Sequence, residues 1–454
     1  MNAASSDDPC PAAAIREDRE RARGAWVSLG SQILSAALAY VLQIVLARSL
    51  GTAGFGVYAA ALAWVGPLAI LAGCGLPQVA LRSLPACRAE RDPARLAGFL
   101  RAAERATLAG SSGVAAAGSA LALLFAAEPV PLVVALWTLP LTVQLRLHTE
   151  VARAAGRYQA AFVMPLLQPL VMLAGALLAK EMLGELTPAV GLGLPALGVL
   201  AVLPWQRSIA RRIAPGAAPR YETRAWLRAG LTMLAVDAAF LLLSQAGAVL
   251  LGALEASSAV ALFSVASATA AFSMFPMIAV GSTSVPVFSR LWALGRRDDL
   301  ERLAQQAALR AFAAQVAVAA LVVAFADPLL ALYGGGFQAA RAALRLILAG
   351  QLANTGTGYV GSIMNMTGHQ DAVLRSVGWA AGLHVVLLVA FVRAWGVTGA
   401  AAATALSSLG WNLWLYRLVR RHVGVRVSFV DAAIAWWSER ASAAAPPASD
   451  LEGA

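Results

Sequence analysis

AWVSLGSQILSAALAYVLQIVLARSLGTAGFGVYAAALAWVGPLAILAGCGL, residues 25–76, holds two apolar runs, 25–48 and 54–76, and a single charged side chain, Arg48. Each run exceeds the roughly 20 mostly apolar residues that a helix needs to cover a hydrocarbon core about 30 Å thick. Lipid offers no partner to an unpaired backbone group, so a span is either a helix or a strand of a closed barrel, and these runs are far too long for barrel strands. The pattern repeats along the chain. Further spans are expected at 104–126, 130–147, 159–179, 188–206, 228–251, 259–281, 309–332, 342–364, 374–393 and 397–417, twelve in all.

Composition agrees. With 59% hydrophobic and 13% charged residues and a mean hydropathy of +0.69, a soluble fold of this chain would be coated in exposed apolar surface. The expected fold is therefore an all-α integral membrane protein.

The basic residues give the orientation, because Lys and Arg near span ends stay on the cytoplasmic side. Of 35, only Arg48, Lys180, Arg341, Arg345 and Arg393 fall in the alternate gaps read as outer; the other 30 fall in inner segments. Both termini are then cytoplasmic, and the protein is multi-pass. The net charge of +11 is explained by this topology, since no basic face or nucleic-acid motif gathers it, and no nucleic-acid partner is expected. Residues 1–24 alternate acids and arginines without an apolar core, and read as a cytoplasmic segment, neither signal peptide nor lipid anchor. Cys10, Cys74 and Cys87 are odd in number and lack ligand spacing, so no disulfide, metal or other cofactor is expected.

The two halves align weakly but in order. Leu50-Gly51 and Gly56-Val57-Tyr58 parallel Leu251-Gly252 and Ala261-Leu262-Phe263. Ala155-Gly156-Arg157 parallels Thr367-Gly368-His369, and Arg211-Arg212 parallels Arg420-Arg421. Six spans per half make the copies parallel in topology, related by an axis along the membrane normal. The expected organisation is a six-helix bundle at 25–206, a cytoplasmic linker at 207–227, a second bundle at 228–417, and a tail at 418–454. Pseudo-symmetric bundles around a central cavity are a transporter architecture. The longest outer loop is expected to be about nine residues, too short for a catalytic domain, so an enzyme is not expected.

The run IVLARSLGTAGFGVYAAALAWVGPLAILAGCGLPQVALR (44–82) resembles the signature of the polysaccharide-transport branch of the multidrug/oligosaccharidyl-lipid/polysaccharide exporter superfamily. The second half carries matching pieces in order: Ser244-Gln245, Leu251-Gly252, Leu262-Phe263-Ser264, Val285-Pro286, Thr367-Gly368-His369 and Gly396-Val397-Thr398-Gly399-Ala400-Ala401. The resemblance covers roughly residues 25–425, and order and spacing carry it rather than any single motif. The acidic residue that such proteins commonly have after Ser-Gln in span 7 is Gly247 here. The resemblance implies a flippase of the bacterial inner membrane, by alternating access, for undecaprenyl-diphosphate-linked oligosaccharide. It leaves room for membrane lipids and other polysaccharide-assembly proteins as partners.

A sugar head group crossing hydrocarbon needs a polar lining, because each hydroxyl stripped of water costs about 2–7 kcal/mol. Three helical stripes are candidates: Ser28, Gln32, Ser35 and Gln43 on span 1; Asp237, Ser244 and Gln245 on span 7; and Gln351, Asn354, Gly358, Ser362 and Asn365 on span 10. The plainer reading is that they join helix to helix. Asp237 is the candidate site for a coupling proton or cation, against a protonated structural acid. His384 on span 11 reads more readily as a packing donor than a relay. Arg82, Arg146 and Arg290, at the inner mouths of spans 2, 4 and 8, are candidates for the head-group phosphates, against simple topology anchors. Pro67 and Pro276, inside spans 2 and 8, are candidate hinges, against fixed packing bends.

Ser428 to Arg440 reads as an amphipathic helix for the inner interface, with Trp436 and Trp437, and 441–454 as disordered. Two other functions stay in view: a cation-coupled drug or metabolite exporter of the same superfamily, which would more often carry acids within the first bundle, and a multipass glycosyltransferase or polymerase, which would need a larger loop.

Overall fold

The computed structural model describes residues 11–89, 92–126, 128–157, 166–213 and 218–444; the side chains of 11–29, 82, 85–86, 88–89, 232, 235–237, 239–240, 242, 244, 439 and 441–444 lie outside that description. All regular structure among the described residues is helical, in two compact units that divide between Gln245 and Ala246.

In the first unit, α1 (Pro11–Gly73) carries the first two expected spans as one run, broken at Gly51, where φ is 67°. Cys74 and Gly75, both at positive φ, turn the chain into α2 (Leu76–Ala89). Only glycine fits at 75, since a Cβ there would stand 2.0 Å from the Gly230 carbonyl oxygen. Asp92 caps α3 (Pro93–Phe125) by accepting the Arg95 amide at 2.9 Å. The fourth span is α4 (Pro129–Trp137) and α5 (Leu139–Ala154), bent at Thr138 beside Pro140, which has no amide hydrogen to give. Then come α6 (Leu167–Leu183), α7 (Pro188–Ile213) and α8 (Thr223–Leu254), the last running across the division between the units. The expected start of span 5, at 159, lies outside the described residues.

The core of this unit lies towards its arginine-rich end. Leu76, Val79 and Leu84 of α2 pack with Phe99 of α3, Leu147 of α5 and Trp226 of α8. Phe99 and Trp226 meet edge to face at 5.3 Å. The segment entering α8 is pinned to the start of α3 by Arg220 on Asp92 (2.9 Å) and Arg95 on Glu222 (3.1 Å).

In the second unit, α9 (Ser257–Ala271) meets α10 (Phe275–Ala293) through a 3-10 turn at Phe272–Met274. After α11 (Arg297–Ala324) the chain forms the short α12 (Ala326–Ala331) and a 3-10 turn at Gly335–Ala340, then α13 (Arg341–Gly356) and α14 (Val360–Met366). The unit ends with α15 (Gln370–His422), broken at Gly396, and α16 (Phe429–Ala444).

Four sequence expectations need correction here. Span 8 does not end at 281: its helix runs to Ala293, bent at the 3-10 turn. Span 9 does not reach 332 as one helix: Phe325 leaves the helical region, only the short α12 follows it, and Gly334, at φ 124°, lies just beyond. The outer connection is therefore longer than nine residues and folded, with Tyr333 and Phe337 buried in it and Arg341 paired to Asp327. Span 10 is not one helix, since Gly358, at φ 81°, separates α13 from α14. Finally, α16 extends to Ala444, beyond the expected end at 440, so 441–444 are helical rather than disordered; 445–454 lie outside the described residues.

Among the described residues, seven helical runs are long and apolar enough to cross a membrane. Two of them, Gly30–Gly73 (44 residues) and Gln370–His422 (53 residues), are about twice the length one crossing needs, and each breaks at a left-handed glycine. They account for spans 1 and 2 and for spans 11 and 12.

Candidate functional site

Breaks in membrane helices release backbone groups that lipid cannot satisfy, so something in the protein must. In the second unit two such breaks satisfy each other. Pro276, at the start of α10, brings no amide hydrogen, and Gly358 interrupts span 10. The Tyr359 hydroxyl donates to the Met277 carbonyl oxygen at 2.8 Å. Thr355 Oγ1 and Asn354 Nδ2 approach Met277 Sδ at 3.3 and 3.9 Å. The Tyr359 ring lies so close to Gly281 that a Cβ there would stand 2.8 Å from it.

A polar seam continues from this junction. Ser273, in the 3-10 turn, donates to Gln351 Oε1 on α13, and Gln315 Nε2 on α11 donates to Ser273 Oγ at 3.4 Å. Gln315 is fully buried, and its Oε1 has no hydrogen-bond partner among the described residues. Three helices of one unit are thus joined through amide and hydroxyl groups at a point where two of them depart from regular geometry.

The expected span 10 stripe is split by this arrangement. Gln351 and Asn354 lie on α13 and face the 272–277 bend, whereas Asn365 lies on α14, beyond the break, and is exposed. Periodicity counted through Gly358 assumed a helix that stops there. On α1, Gln32 is exposed, and Ser35 and Gln43 are half-buried. Gln245 is half-buried on α8; the side chains of Asp237 and Ser244 on α8, Arg82 on α2 and Ser28 on α1 lie outside the described residues. Arg146 is half-buried on α5, and Arg290 is exposed on α10. Pro276 stands at a bend, while the non-helical point in α1 is Gly51 and not Pro67. His384 is buried, its Nδ1 2.9 Å from Ser407 Oγ on the same kinked α15.

Sequence reasoning missed a second polar cluster, in the first unit. Gln144 Nε2 on α5 donates to the Glu104 carbonyl oxygen at 2.8 Å and to Thr107 Oγ1 at 3.2 Å on α3. His148, one turn along α5, is buried, with Nδ1 2.8 Å from the Gln144 carbonyl oxygen and Nε2 2.7 Å from Glu104 Oε1. Thr149 Oγ1 donates to the buried Gln206 Oε1 on α7 at 3.0 Å. The signal was present: Glu104 and Thr107 are three apart and Gln144 and His148 four apart, each pair on one helical face.

No match is found among curated protein sequences. The sequence model of the family described as "Polysaccharide biosynthesis protein" matches residues 22–292, and that of the MatE family matches 233–390. Among solved structures, the fold is similar to an inward-facing multidrug resistance MATE family transporter of the MOP superfamily: TM-score 0.69, 15% identity, covering 88% of this chain and 98% of that one. It is similar to the lipid II flippase MurJ in an inward closed conformation, with TM-score 0.64 and 12% identity over 86% of each chain. A MOP superfamily transporter from Pyrococcus furiosus gives TM-score 0.58 and 15% identity over 89% of this chain and 96% of that one. At these identities the likeness speaks for the fold, while the match over 22–292 spans more than half of the sequence. With the fold of the MOP-superfamily transporters and spans to match, the chain is a multi-pass membrane protein that belongs to the polysaccharide biosynthesis protein family.

Proposed function

We propose that this protein is a flippase that carries an undecaprenyl-diphosphate-linked oligosaccharide from the inner to the outer leaflet of the bacterial cytoplasmic membrane by alternating access, with both termini in the cytosol. The family match over residues 22–292 is the observation that carries this reading. The motif series from 44 to 401 and the likeness to a lipid II flippase fold support it. On this reading residues 25–206 and 228–417 are the two halves of the carrier, joined by the linker 207–227. Gln32, Gln43, Asp237, Ser244, Gln245, Asn354 and Asn365 line the path of the sugar. Arg82, Arg146 and Arg290 meet the diphosphate with the multidentate donors that such a group requires. Asp237 holds a coupling proton or cation, and Pro67 and Pro276 absorb the bending.

The MatE match over 233–390 favours one second reading, a cation-coupled exporter of small molecules on the same fold. Deleting the gene in its own host separates the two. For a flippase, surface polysaccharide is lost and lipid-linked oligosaccharide accumulates in the inner leaflet; for an exporter, the glycan is unchanged and sensitivity to small toxic cations rises. Complementation with Asp237→Asn tests the coupling role, which is lost as an idea if the variant restores wild-type transport with its pH dependence intact.

A further inference from the structure

The Glu104–His148 contact is a bond that needs a proton the two side chains do not hold at their ordinary resting charges. His148 Nδ1 faces the Gln144 carbonyl oxygen at 2.8 Å, and a carbonyl only accepts, so Nδ1 carries a hydrogen. In a neutral imidazole with Nδ1–H, Nε2 is a bare lone pair. That lone pair lies 2.7 Å from Glu104 Oε1. An ionised carboxylate against an unprotonated Nε2 would set two acceptors face to face without a hydrogen between them. The observed distance therefore belongs to a state with one further proton, held as imidazolium to carboxylate or as carboxylic acid to imidazole.

We infer that Glu104 and His148 form a proton-binding site, and that the bond tying α3 to α5 exists only while that proton is bound. The inference is independent of the transported substrate. Its surroundings are built for the purpose. Gln144 holds the Glu104 turn through the carbonyl oxygen and Thr107, so the carboxylate is presented to the ring and not left to wander. His148 is 1% exposed and cannot turn to water for an alternative partner, whereas the Glu104 side chain is 40% exposed and gives the proton its way in and out.

The charges around it are mostly basic, Arg146 of α5 among them. Arg207 and Arg211 of α7 act on Glu104, and Glu150 and Arg153, neighbours of His148 on α5, are paired to each other at 3.3 Å. Arg101 and Arg105 lie on α3 itself; α2 brings Arg82 and Arg88, whose side chains lie outside the described residues. The site is at the arginine-rich ends of α3, α5 and α7, which the charge pattern places on the cytosolic side. Proton balance is simple: water on that side supplies one proton as the bond forms, and receives it when α3 and α5 part at that point.

The test uses the full-length protein in detergent micelles, with melting temperature followed from about pH 5 to about pH 9. Wild type is expected to lose stability as the pH rises and the shared proton leaves. Glu104→Gln replaces the acid with an amide that pairs with Nε2 in either state, its N–H donating to the bare nitrogen and its oxygen accepting from the protonated one, so the fall is expected to disappear while low-pH stability is kept. An identical fall in both proteins overturns the inference. A second measurement covers a Glu104→Gln protein that does not fold. In wild type labelled with 15N-histidine, with His148→Gln used for assignment, the His148 Nε2 resonance should move across this range while Nδ1 stays protonated. A resonance that does not move overturns the inference.

Discussion

Gly358 shows what a single residue decides in this protein. Its φ of 81° is a conformation that costs an L residue about 1–2 kcal/mol, and a Cβ there would also stand 2.3 Å from the Val427 carbonyl oxygen and 3.2 Å from Ala308. Gly424, at φ 79°, has the same backbone demand but no described atom within 4 Å of its Cβ position. Gly358→Ala should therefore lower the melting temperature clearly more than Gly424→Ala, the difference measuring the collision with Val427 rather than the strain. Equal losses would mean that the α13–α14 break can shift away from the 425–427 segment. From sequence, Gly358 is one step in a polar helical stripe. Nothing in Thr357-Gly358-Tyr359 distinguishes a tolerated helical glycine from a left-handed one, because the deciding contact, Val427, is far away in sequence.

At the scale of elements, α16 was legible and its anchoring was not. Ser428-Phe429-Val430-Asp431 is a capping sequence, and the structure closes it in both directions: Asp431 N donates to Ser428 Oγ at 3.1 Å, and Ser428 N to Asp431 Oδ2 at 3.1 Å. Tyr416 adds its hydroxyl to the same carboxylate oxygen at 2.6 Å, Phe429 stacks on Phe312 with centroids 4.0 Å apart, and Glu301 accepts the Arg426 amide at 3.0 Å. These partners lie on α11 and α15, and no local pattern could have named them. The outward face keeps Val430, Ile434 and Trp437 exposed, and Arg440 lies 4.0 Å over the Trp436 ring, which suits the membrane surface the sequence suggested. Burial opposes the charge on Asp431, but the Ser428 and Tyr416 hydrogen bonds outweigh it and hold its carboxyl below the usual carboxylate range. A depressed folded-state value means stabilisation that is complete above the ordinary carboxylate value near about 4 and is lost as the pH falls further. The protection factors of the α16 amides, exchange rates corrected for intrinsic pH dependence, should thus fall below that pH in wild type. Asp431→Asn should exchange faster at neutral pH and respond less to acid; an acid response equal to wild type would place the sensitive group elsewhere.

At the scale of the whole molecule, the helical membrane fold was legible because it rests on apolar length summed over many residues, and errors at single positions cancel. Span ends were less legible, since they depend on one glycine or proline each, as at Gly334 and Gly358. Some positive-φ glycines recur at corresponding places of the two expected halves, although Gly51 is at positive φ and its expected counterpart Gly252 is not. Gly75 and Gly295 follow spans 2 and 8, Gly156 and Gly368 precede spans 5 and 11, and Gly184 and Gly396 sit between the last two spans of each half, all at positive φ. The sequence alignment had paired only Gly156 with Gly368, because the flanking side chains of the others have diverged while the backbone demand has not. If the halves are parallel copies, as the sequence leads one to expect, both would enter and leave the membrane by the same route, with the 30 basic residues on the inner side and five on the outer. In a version freed of Cys10, Cys74 and Cys87, single cysteines at Glu128 and Glu185 should react in intact cells with a membrane-impermeant maleimide. Cysteines at Asp92 and Asp298 should react only after permeabilisation. Both pairs probe the two halves of the argument separately, since 128, 185 and 92 lie in the first half and 298 in the second. Reversed labelling at all four would invert the molecule. Reversal at 298 alone would mean an even number of spans between Glu185 and Asp298 in place of the expected three, and the parallel relation of the halves would fall with it.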